Sequence, residues 1–164
     1  MNISPHMVRH WPRLRPWMAV AALNVLYLAA IFFANQADPL VFVTLGTRFT
    51  TGDPQGTEGY DGQFVYFIAA DPYTAPDLID LPAYRYQRIL LPALARLLSL
   101  GQAGLVPWTL IAINLISLAA GTYLLELLLI EQGMSRWYAI TFGLFGGVFM
   151  AVRLSLAEPL AYGL

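Results

Sequence analysis

The residues best suited to chemistry are a carboxylate and two arginines in the middle of the chain. Asp61 lies in GYDGQ (59–63), where a glycine-rich stretch meets an apolar run, and Arg85 and Arg88 follow in the segment 84–100. A carboxylate can take a proton from a hydroxyl group, and a planar guanidinium binds phosphate through paired hydrogen bonds. These residue types favour a site that handles a hydroxyl nucleophile and a phosphate.

Each of these residues also has a structural interpretation. Asp61 stands where a helix N-cap would accept hydrogen bonds from the first-turn amides, although Phe64 occupies the position that a capping box gives to Glu or Gln. On a helical wheel over segment 84–100, Arg85, Arg88 and Arg96 share one face. Arginines on such a face commonly contact ordinary lipid headgroups, and both interpretations stay open at this point.

Two further charged residues, Arg153 and Glu158, lie near the end of the last apolar run. Ionisable groups at that depth usually face a protein interior or a water-filled cavity. The pair Glu158-Pro159 also breaks a helix and would bring a carboxylate to the level of the central loop. We therefore predict that Arg153 and Glu158 line a site, with a structural ion pair as the alternative.

The composition indicates lipid as the surrounding solvent. Of the 164 residues, 58% are hydrophobic and 12% are charged, whereas a soluble domain carries about 25% charged residues. The chain has no cysteine, which excludes disulfides, thiolate metal sites and cysteine nucleophiles. Its net charge of -1 gives no indication of nucleic-acid binding.

Apolar runs predict an all-α membrane protein with about three membrane-spanning helices, at 17–34, 105–130 and 137–157. The tail 1–16 contains arginines and no acid, so the positive-inside rule places it in the cytoplasm. A cleavable signal peptide is the alternative, but its apolar region is typically about 7–15 residues long. An uncleaved first span is the preferred interpretation.

The same orientation places the turn 131–136 inside and the loop 35–104 on the periplasmic or extracellular side of a plasma membrane, such as a bacterial inner membrane. That loop is too long for a simple connector. It is predicted to contain two amphipathic interfacial helices, the second kinked at Pro92. The segment 158–164 begins a further element, so we expect the chain to be the N-terminal piece of a longer polytopic protein.

Other features concern how the spans pack. Gly143 and Gly147 form a GxxxG pattern, which either lets another helix approach closely or simply reflects a helix rich in small residues. Asn114 in the second span is predicted to make an interhelical hydrogen bond. Glu126, near the inner end of the same span, is predicted to snorkel towards the interface.

Three segments are moderately specific for a known protein family when they occur together: GYDGQFVYFIAADP (59–72), YRYQRILLPALARLLSLG (84–101) and LAEPLA (156–161). With a basic N-terminus, one span, a long outer loop and two more spans, the chain resembles the N-terminal part of GT-C-type glycosyltransferases. These are polytopic enzymes that use lipid-linked sugar phosphates, and the mannosyltransferase-like bacterial families are the nearest in layout. The resemblance covers nearly the whole chain.

The resemblance implies that Asp61, an acid in the first outer loop, is the catalytic base. From the chemistry of phosphate and acceptor binding, we predict as substrate-binding residues Tyr60, Gln63, Arg85, Arg88, Arg153 and Glu158. The resemblance also implies a polyprenyl-phosphate sugar donor, membrane lipid and further transmembrane helices of the same full-length chain as partners. No cofactor is required by the sequence, and Mg²⁺ or Mn²⁺ is an open alternative, since no local cluster of metal ligands is seen. Since such enzymes have many more spans, this chain alone is expected to be inactive.

The main alternative is a non-enzymatic membrane module, either a transporter segment or a scaffold subunit of an envelope-assembly complex. That hypothesis accounts for the apolar runs and the GxxxG pattern equally well. It does not account for a long loop that concentrates Asp, Arg, Tyr and Gln. A transporter is expected to keep polar residues at mid-membrane on broken helices, where this chain offers mainly Asn114. Another lipid-modifying enzyme is the remaining alternative.

Overall fold

The computed structural model describes residues 14–164, and within this range it contains helices and turns but no β-strand. The all-helical prediction is therefore confirmed, while most of the basic tail 1–16 lies outside the described residues. The α-helices are α1 (Pro16–Ala34), α2 (Thr47–Thr50), α3 (Gly62–Ala70), α4 (Pro82–Arg85), α5 (Leu90–Leu98), α6 (Val106–Glu131), α7 (Ile140–Gly143), α8 (Gly146–Arg153) and α9 (Glu158–Gly163). Short 3₁₀ turns lie at Pro39–Phe42, Ala75–Leu78, Tyr86–Arg88, Ala103–Leu105 and Arg136–Ala139.

Two of the described helical stretches are long and apolar enough to cross a membrane, α1 and the run Ala103–Glu131 that contains α6. They correspond to the predicted spans 17–34 and 105–130. The two helices pack side by side, and Val20 and Leu118 are buried in their shared core. Asn24 in α1 is also completely buried, where its side chain donates to the carbonyl of Val20 at 3.0 Å.

The continuous helix predicted over 137–157 is not formed. Helix α7 ends at Gly143, Phe145 has extended backbone, and α8 begins one residue later. A further turn then separates α8 from α9. Glycine costs about 1 kcal/mol relative to alanine in a helix, so the glycine-rich stretch around residue 145 lowers the cost of this break.

The break also separates the two glycines of the GxxxG pattern. A Cβ at Gly143 would collide with Val20 of α1 and Thr122 of α6, so this glycine permits a close three-way approach. Gly147 lies beyond the break, and a Cβ there would meet only the ring of Phe145. The two glycines therefore do not form one helix-packing face.

The loop between α1 and α6 folds into a layer that packs on the start of α6. Helices α3 and α5 pack against each other and against α6, and they bury Ala69, Leu91, Ala95, Val106 and Leu110 in one core. Leu97 and Leu98 of α5 remain exposed on the opposite side. The helix predicted at 63–70 is thus present as α3, but none of its residues is exposed, because Phe64, Phe67 and Ile68 are buried in a second core with Ala75 and Ile79.

The second predicted loop helix differs from its prediction in two ways. It is split into α4, a 3₁₀ turn and α5, and the break precedes Pro92, which lies in the first turn of α5 where a missing N–H is tolerated. Arg96 does not join the other arginines. Its guanidinium donates instead to the carbonyls of Ala69 and Ala70, at 3.1 and 2.7 Å, and so caps the end of α3.

Two buried polar side chains inside the bundle each have one partner, although Oδ1 of Asn114 and Oε2 of Glu126 make no hydrogen bond to the described residues. The amide of Asn114 donates to the carbonyl of Leu156 at 2.8 Å, which ties α6 to the turn between α8 and α9. Glu126 is completely buried and accepts a hydrogen bond from Nε of Arg15 at 2.9 Å. The snorkelling predicted for Glu126 is wrong, because Arg15 at the start of α1 lies close enough to neutralise it inside the protein.

Candidate functional site

Asp61 sits immediately before α3, and its side chain makes no capping hydrogen bond to that helix. One carboxylate oxygen instead lies 3.0 Å from Nη1 of Arg85, and the side chain is half exposed. The next residue, Gly62, lies against the carbonyl of Leu154 so closely that any Cβ would collide with it. The N-cap interpretation of Asp61 is therefore not supported, and Asp61 is anchored at the turn between α8 and α9.

Gln63 holds the backbone on which Asp61 is placed. Its side chain is completely buried, where Oε1 accepts from the amide of Gly46 at 2.9 Å and Nε2 donates to the carbonyl of Glu58 at 2.6 Å. The amide of Tyr60 adds a third link by donating to the carbonyl of Thr44 at 3.0 Å. Gln63 thus lines the site, but its amide is occupied by protein backbone. Tyr60 is exposed beside it.

Arg85 lies between two carboxylates. Its Nε and Nη2 donate to the two carboxylate oxygens of Asp80, both at 2.8 Å, while Nη1 faces Asp61. The guanidinium also stacks 4.2 Å from the centroid of the Phe64 ring. The hydrogen bonds that Arg85 donates to Asp80 raise the pKa of Arg85, and the same contact lowers the pKa of Asp80.

Arg88 is held more loosely. Its Nη1 lies 3.6 Å from a carboxylate oxygen of Glu158, its Nη2 donates to the hydroxyl of Tyr84 at 2.9 Å, and about half of the side chain is exposed. Glu158 is the first residue of α9, so the helix breaks in the third apolar segment bring it to the loop. The other oxygen of Glu158, Oε2, is buried and has no hydrogen-bond partner among the described residues.

The predicted residues Asp61, Arg85, Arg88 and Glu158 therefore form one polar row. Sequence reasoning missed Asp80 and Tyr84, which hold the two arginines. The sequence places both residues close to the arginines, and this closeness was the only indication of their role. Asp80 can be predicted to contact Arg85 only when the chain is known to turn at Pro82.

Three neighbouring spaces surround this row. A polar cleft of about 420 Å³ is lined mainly by Arg48, Glu58, Tyr60, Asp61, Asp80 and Arg85. A small gap of about 20 Å³ lies between Asp61, Arg85, Arg88 and Ala157. An apolar groove of about 490 Å³ begins at Arg88 and Glu158 and is bordered by Leu90, Leu91, Leu160 and Tyr162. Asp61 and Arg85 border both the cleft and the gap, while Arg88 borders both the gap and the groove.

Comparison of the chain with protein-family models, with curated proteins and with solved structures finds no match. The resemblance to GT-C-type glycosyltransferases therefore rests on the residues and the layout quoted above.

Arg153 does not lie with the other candidates. It lines a separate cleft that is formed by the end of α1 and the segment that follows it. Its predicted contribution to the same site as Glu158 is therefore not seen. The two residues diverge because α8 ends at Arg153 and the chain turns before α9 begins.

The side chains of residues 14–164 include no group of three or more His, Cys, Asp or Glu that could hold a metal ion. Carboxylate-bound Mg²⁺ or Mn²⁺ needs several oxygen ligands around one point. At the polar row, Asp61 and Glu158 each face an arginine instead. Asp61 and Glu158 are therefore not suited to bind a metal ion without ligands from outside the protein.

Proposed function

We propose that this chain forms part of an integral membrane glycosyltransferase of the GT-C type. The enzyme would transfer a sugar from a polyprenyl-phosphate donor to an envelope glycan, lipid or protein acceptor at the outer surface of a plasma membrane. The observation that carries this proposal is the row of Asp61, Arg85, Arg88 and Glu158, which lies between a polar cleft and an apolar groove.

A membrane position is supported by the surface of α1. Only 17% of the most apolar 18-residue stretch of this helix is buried, and Leu26 and Phe33 are 66% and 74% exposed. Such a large unpaired apolar surface is stable only against lipid or other apolar helices. Trp108, Trp137 and Tyr138, near the ends of the apolar segments, are exposed where aromatic rings favour the membrane interface.

The geometry suits a donor that is apolar at one end and polar at the other. The prenyl chain would lie in the apolar groove, with its phosphate at Arg88 where groove and gap meet. The sugar and the acceptor hydroxyl would then occupy the polar cleft beside Asp61. This order of spaces matches the order of chemical groups in a lipid-linked sugar phosphate.

In the proposed reaction, Asp61 takes the proton of the acceptor hydroxyl as that oxygen bonds to the anomeric carbon of the sugar. The bond from that carbon to the phosphate oxygen breaks, and its electron pair leaves with the phosphate. General-base catalysis of this kind contributes about 10²–10⁴-fold. Fixed positive charge at the leaving phosphate stabilises the transition state further.

The two arginines have different roles in this proposal. The charge of Arg85 is offset by Asp80 and Asp61, so Arg85 mainly orients the carboxylate of Asp61. Arg88 faces one carboxylate at 3.6 Å and is half exposed, which leaves its donors available to an incoming phosphate. Arg88 is therefore the principal phosphate ligand.

Replacing Arg88 with Gln is expected to raise the KM for the lipid-linked donor by about tenfold or more, because a charge-assisted hydrogen bond to phosphate is lost. The measurement is transfer from a labelled polyprenyl-phosphate sugar in membranes that contain the full-length protein. Arg136→Gln, at the opposite end of the bundle, serves as the matched control. Equal KM values for the two variants would contradict the assignment of Arg88.

The proposed orientation can be tested separately, since the chain has no cysteine. In intact cells, a membrane-impermeant thiol reagent is expected to label Glu58→Cys, which borders the polar cleft. It should label Met134→Cys, in the turn between the predicted second and third spans, only after the membrane is opened. Both positions are at least half exposed, so access is decided by the membrane. The reverse pattern would place Asp61 in the cytosol and contradict the proposal.

One observation favours a transporter segment as a second candidate. Broken helices at mid-membrane are typical of transporter binding sites, and the third apolar segment is broken between α7 and α8. The residues at that break, however, are Leu144 and Phe145. Apolar side chains at the break offer no ligands for a polar cargo, so the glycosyltransferase remains the better supported proposal. Uptake without consumption of a labelled polyprenyl-phosphate sugar would favour the transporter.

A further inference from the structure

A second cleft lies at the outer ends of α1 and α8 in the proposed orientation, apart from the polar row. It is open to the surface, has a volume of about 520 Å³, and its lining includes Ala34, Gln36, Asp38, Leu40, Thr44 and Arg153. Thr44 lines this cleft, and its carbonyl accepts a hydrogen bond from the amide of Tyr60 beside Asp61. Neither the proposed base nor the proposed phosphate ligand lines this cleft.

The cleft contains opposite charges that do not pair. Asp38 and Arg153 both line it, yet among residues 14–164 neither of them forms an ion pair within 4.0 Å. One oxygen of Asp38 accepts from the amide of Leu40 at 2.9 Å. The guanidinium of Arg153 makes no hydrogen bond to another described residue, and its side chain is half-buried.

Capping of α8 does not account for Arg153. A cation at the last residue of a helix interacts favourably with the helix dipole. The carbonyls of Met150 and Val152 at this end are already taken by the amide of Leu154. The five donors of the guanidinium are therefore not needed by the helix that carries it.

The walls of the cleft are preformed. Gln36 and Thr44 have positive φ values of 57° and 52°, a region that costs non-glycine residues about 1 kcal/mol or more. Thr44 is held there by hydrogen bonds from its amide to the carbonyl of Leu40 and from its hydroxyl to that of Val41. Strained backbone of this kind tends to concentrate at ligand-binding sites.

We propose that this cleft binds the headgroup of a zwitterionic aminophospholipid, with the phosphate on Arg153 and the primary ammonium on Asp38. A headgroup with both charges satisfies both side chains, whereas a purely anionic headgroup or free phosphate leaves Asp38 unpaired and repelled. The apolar residues Ala34, Leu40 and Val41 border the same space and would receive the start of the acyl chains. The inference rests on the proposed membrane position but not on sugar transfer.

The test measures lipid retained by the purified full-length protein, using native mass spectrometry after exchange into defined phospholipids. Phosphatidylethanolamine is expected to be retained in preference to phosphatidylglycerol, which has no ammonium, and to phosphatidylcholine, whose ammonium has no N–H donor. Arg153→Gln and Asp38→Asn should each lower that retention by about tenfold, because each removes a charge-assisted hydrogen bond. Arg136→Gln and Asp77→Asn are the matched controls and should change nothing.

A competition experiment on the unaltered protein does not depend on the folding of any variant. Soluble phosphoethanolamine is expected to displace the retained lipid, and inorganic phosphate at the same concentration is not. Equal displacement by both, equal retention of phosphatidylglycerol, or unchanged retention in both cleft variants would each overturn the inference. Asp61→Asn should keep normal lipid retention, so failure of the proposed sugar transfer and failure of this site are distinguishable.

Discussion

Asp61→Asn is expected to abolish the proposed sugar transfer, with kcat reduced by roughly 10³-fold or more, near the upper part of the range for loss of a general base. Asparagine keeps the size of the side chain but cannot take up the acceptor proton. Arg85 stays in place, because Asp80 holds it through two hydrogen bonds of 2.8 Å. The measurement is turnover of a labelled polyprenyl-phosphate sugar under saturating donor.

The matched control is Asp77→Asn, which removes an exposed acid from the same loop. It should retain normal turnover. Both variants should reach the membrane in equal amounts and unfold at the same temperature as the parent, since half of the Asp61 side chain is exposed. Normal turnover in Asp61→Asn would show that Asp61 only positions Arg85, and the catalytic assignment would fail.

Arg15→Gln is expected to cause the largest loss of stability. Glu126 is completely buried, and the guanidinium of Arg15 is its partner at 2.9 Å. Removing one member of a buried ion pair leaves an uncompensated charge, so the variant is expected to unfold at a clearly lower denaturant concentration than the parent. Because Arg15 is 32% exposed, water offsets part of that loss. Unfolding in a denaturing-detergent titration provides the measurement.

A double-mutant cycle separates the charge from the packing. Combining Arg15→Gln with Glu126→Gln removes both charges and should restore most of the lost stability, since two neutral amides cost far less to bury than one carboxylate. Arg136→Gln, which removes an arginine that makes no ion pair with another described residue, should be nearly neutral. A double variant no more stable than Arg15→Gln alone would show that the pair acts through shape rather than charge.

The candidate site around Asp61 was only partly predictable. Asp61, Arg85 and Arg88 were identified from residue type and spacing, because carboxylates and guanidinium groups have few roles at the edge of an apolar run. Arg96 was wrongly grouped with them. A helical wheel assumes one uninterrupted helix, whereas the chain turns through Tyr86–Arg88 before α5 begins, so the angular relation is lost.

The third apolar segment shows a second reason for error. Its composition is apolar throughout, which predicts a single helix, but the glycines near residue 145 make continuous helix and broken helix close in energy. Packing against α1 and α6 then decides the outcome, as the tight approach of Gly143 to Val20 shows. That decision places Glu158 at the polar row and Arg153 in the other cleft.

The helical class, the two long apolar helices and the chemical types of the loop residues could all be predicted from the amino-acid sequence. These properties depend on local hydrophobicity, helix propensity and side-chain chemistry. All three are set by residues close together in the chain and do not require tertiary contacts. Only the tertiary structure decided which charges meet. Ion pairs such as Arg15 with Glu126 or Arg88 with Glu158 join residues far apart in the chain, and their formation depends on where each helix ends.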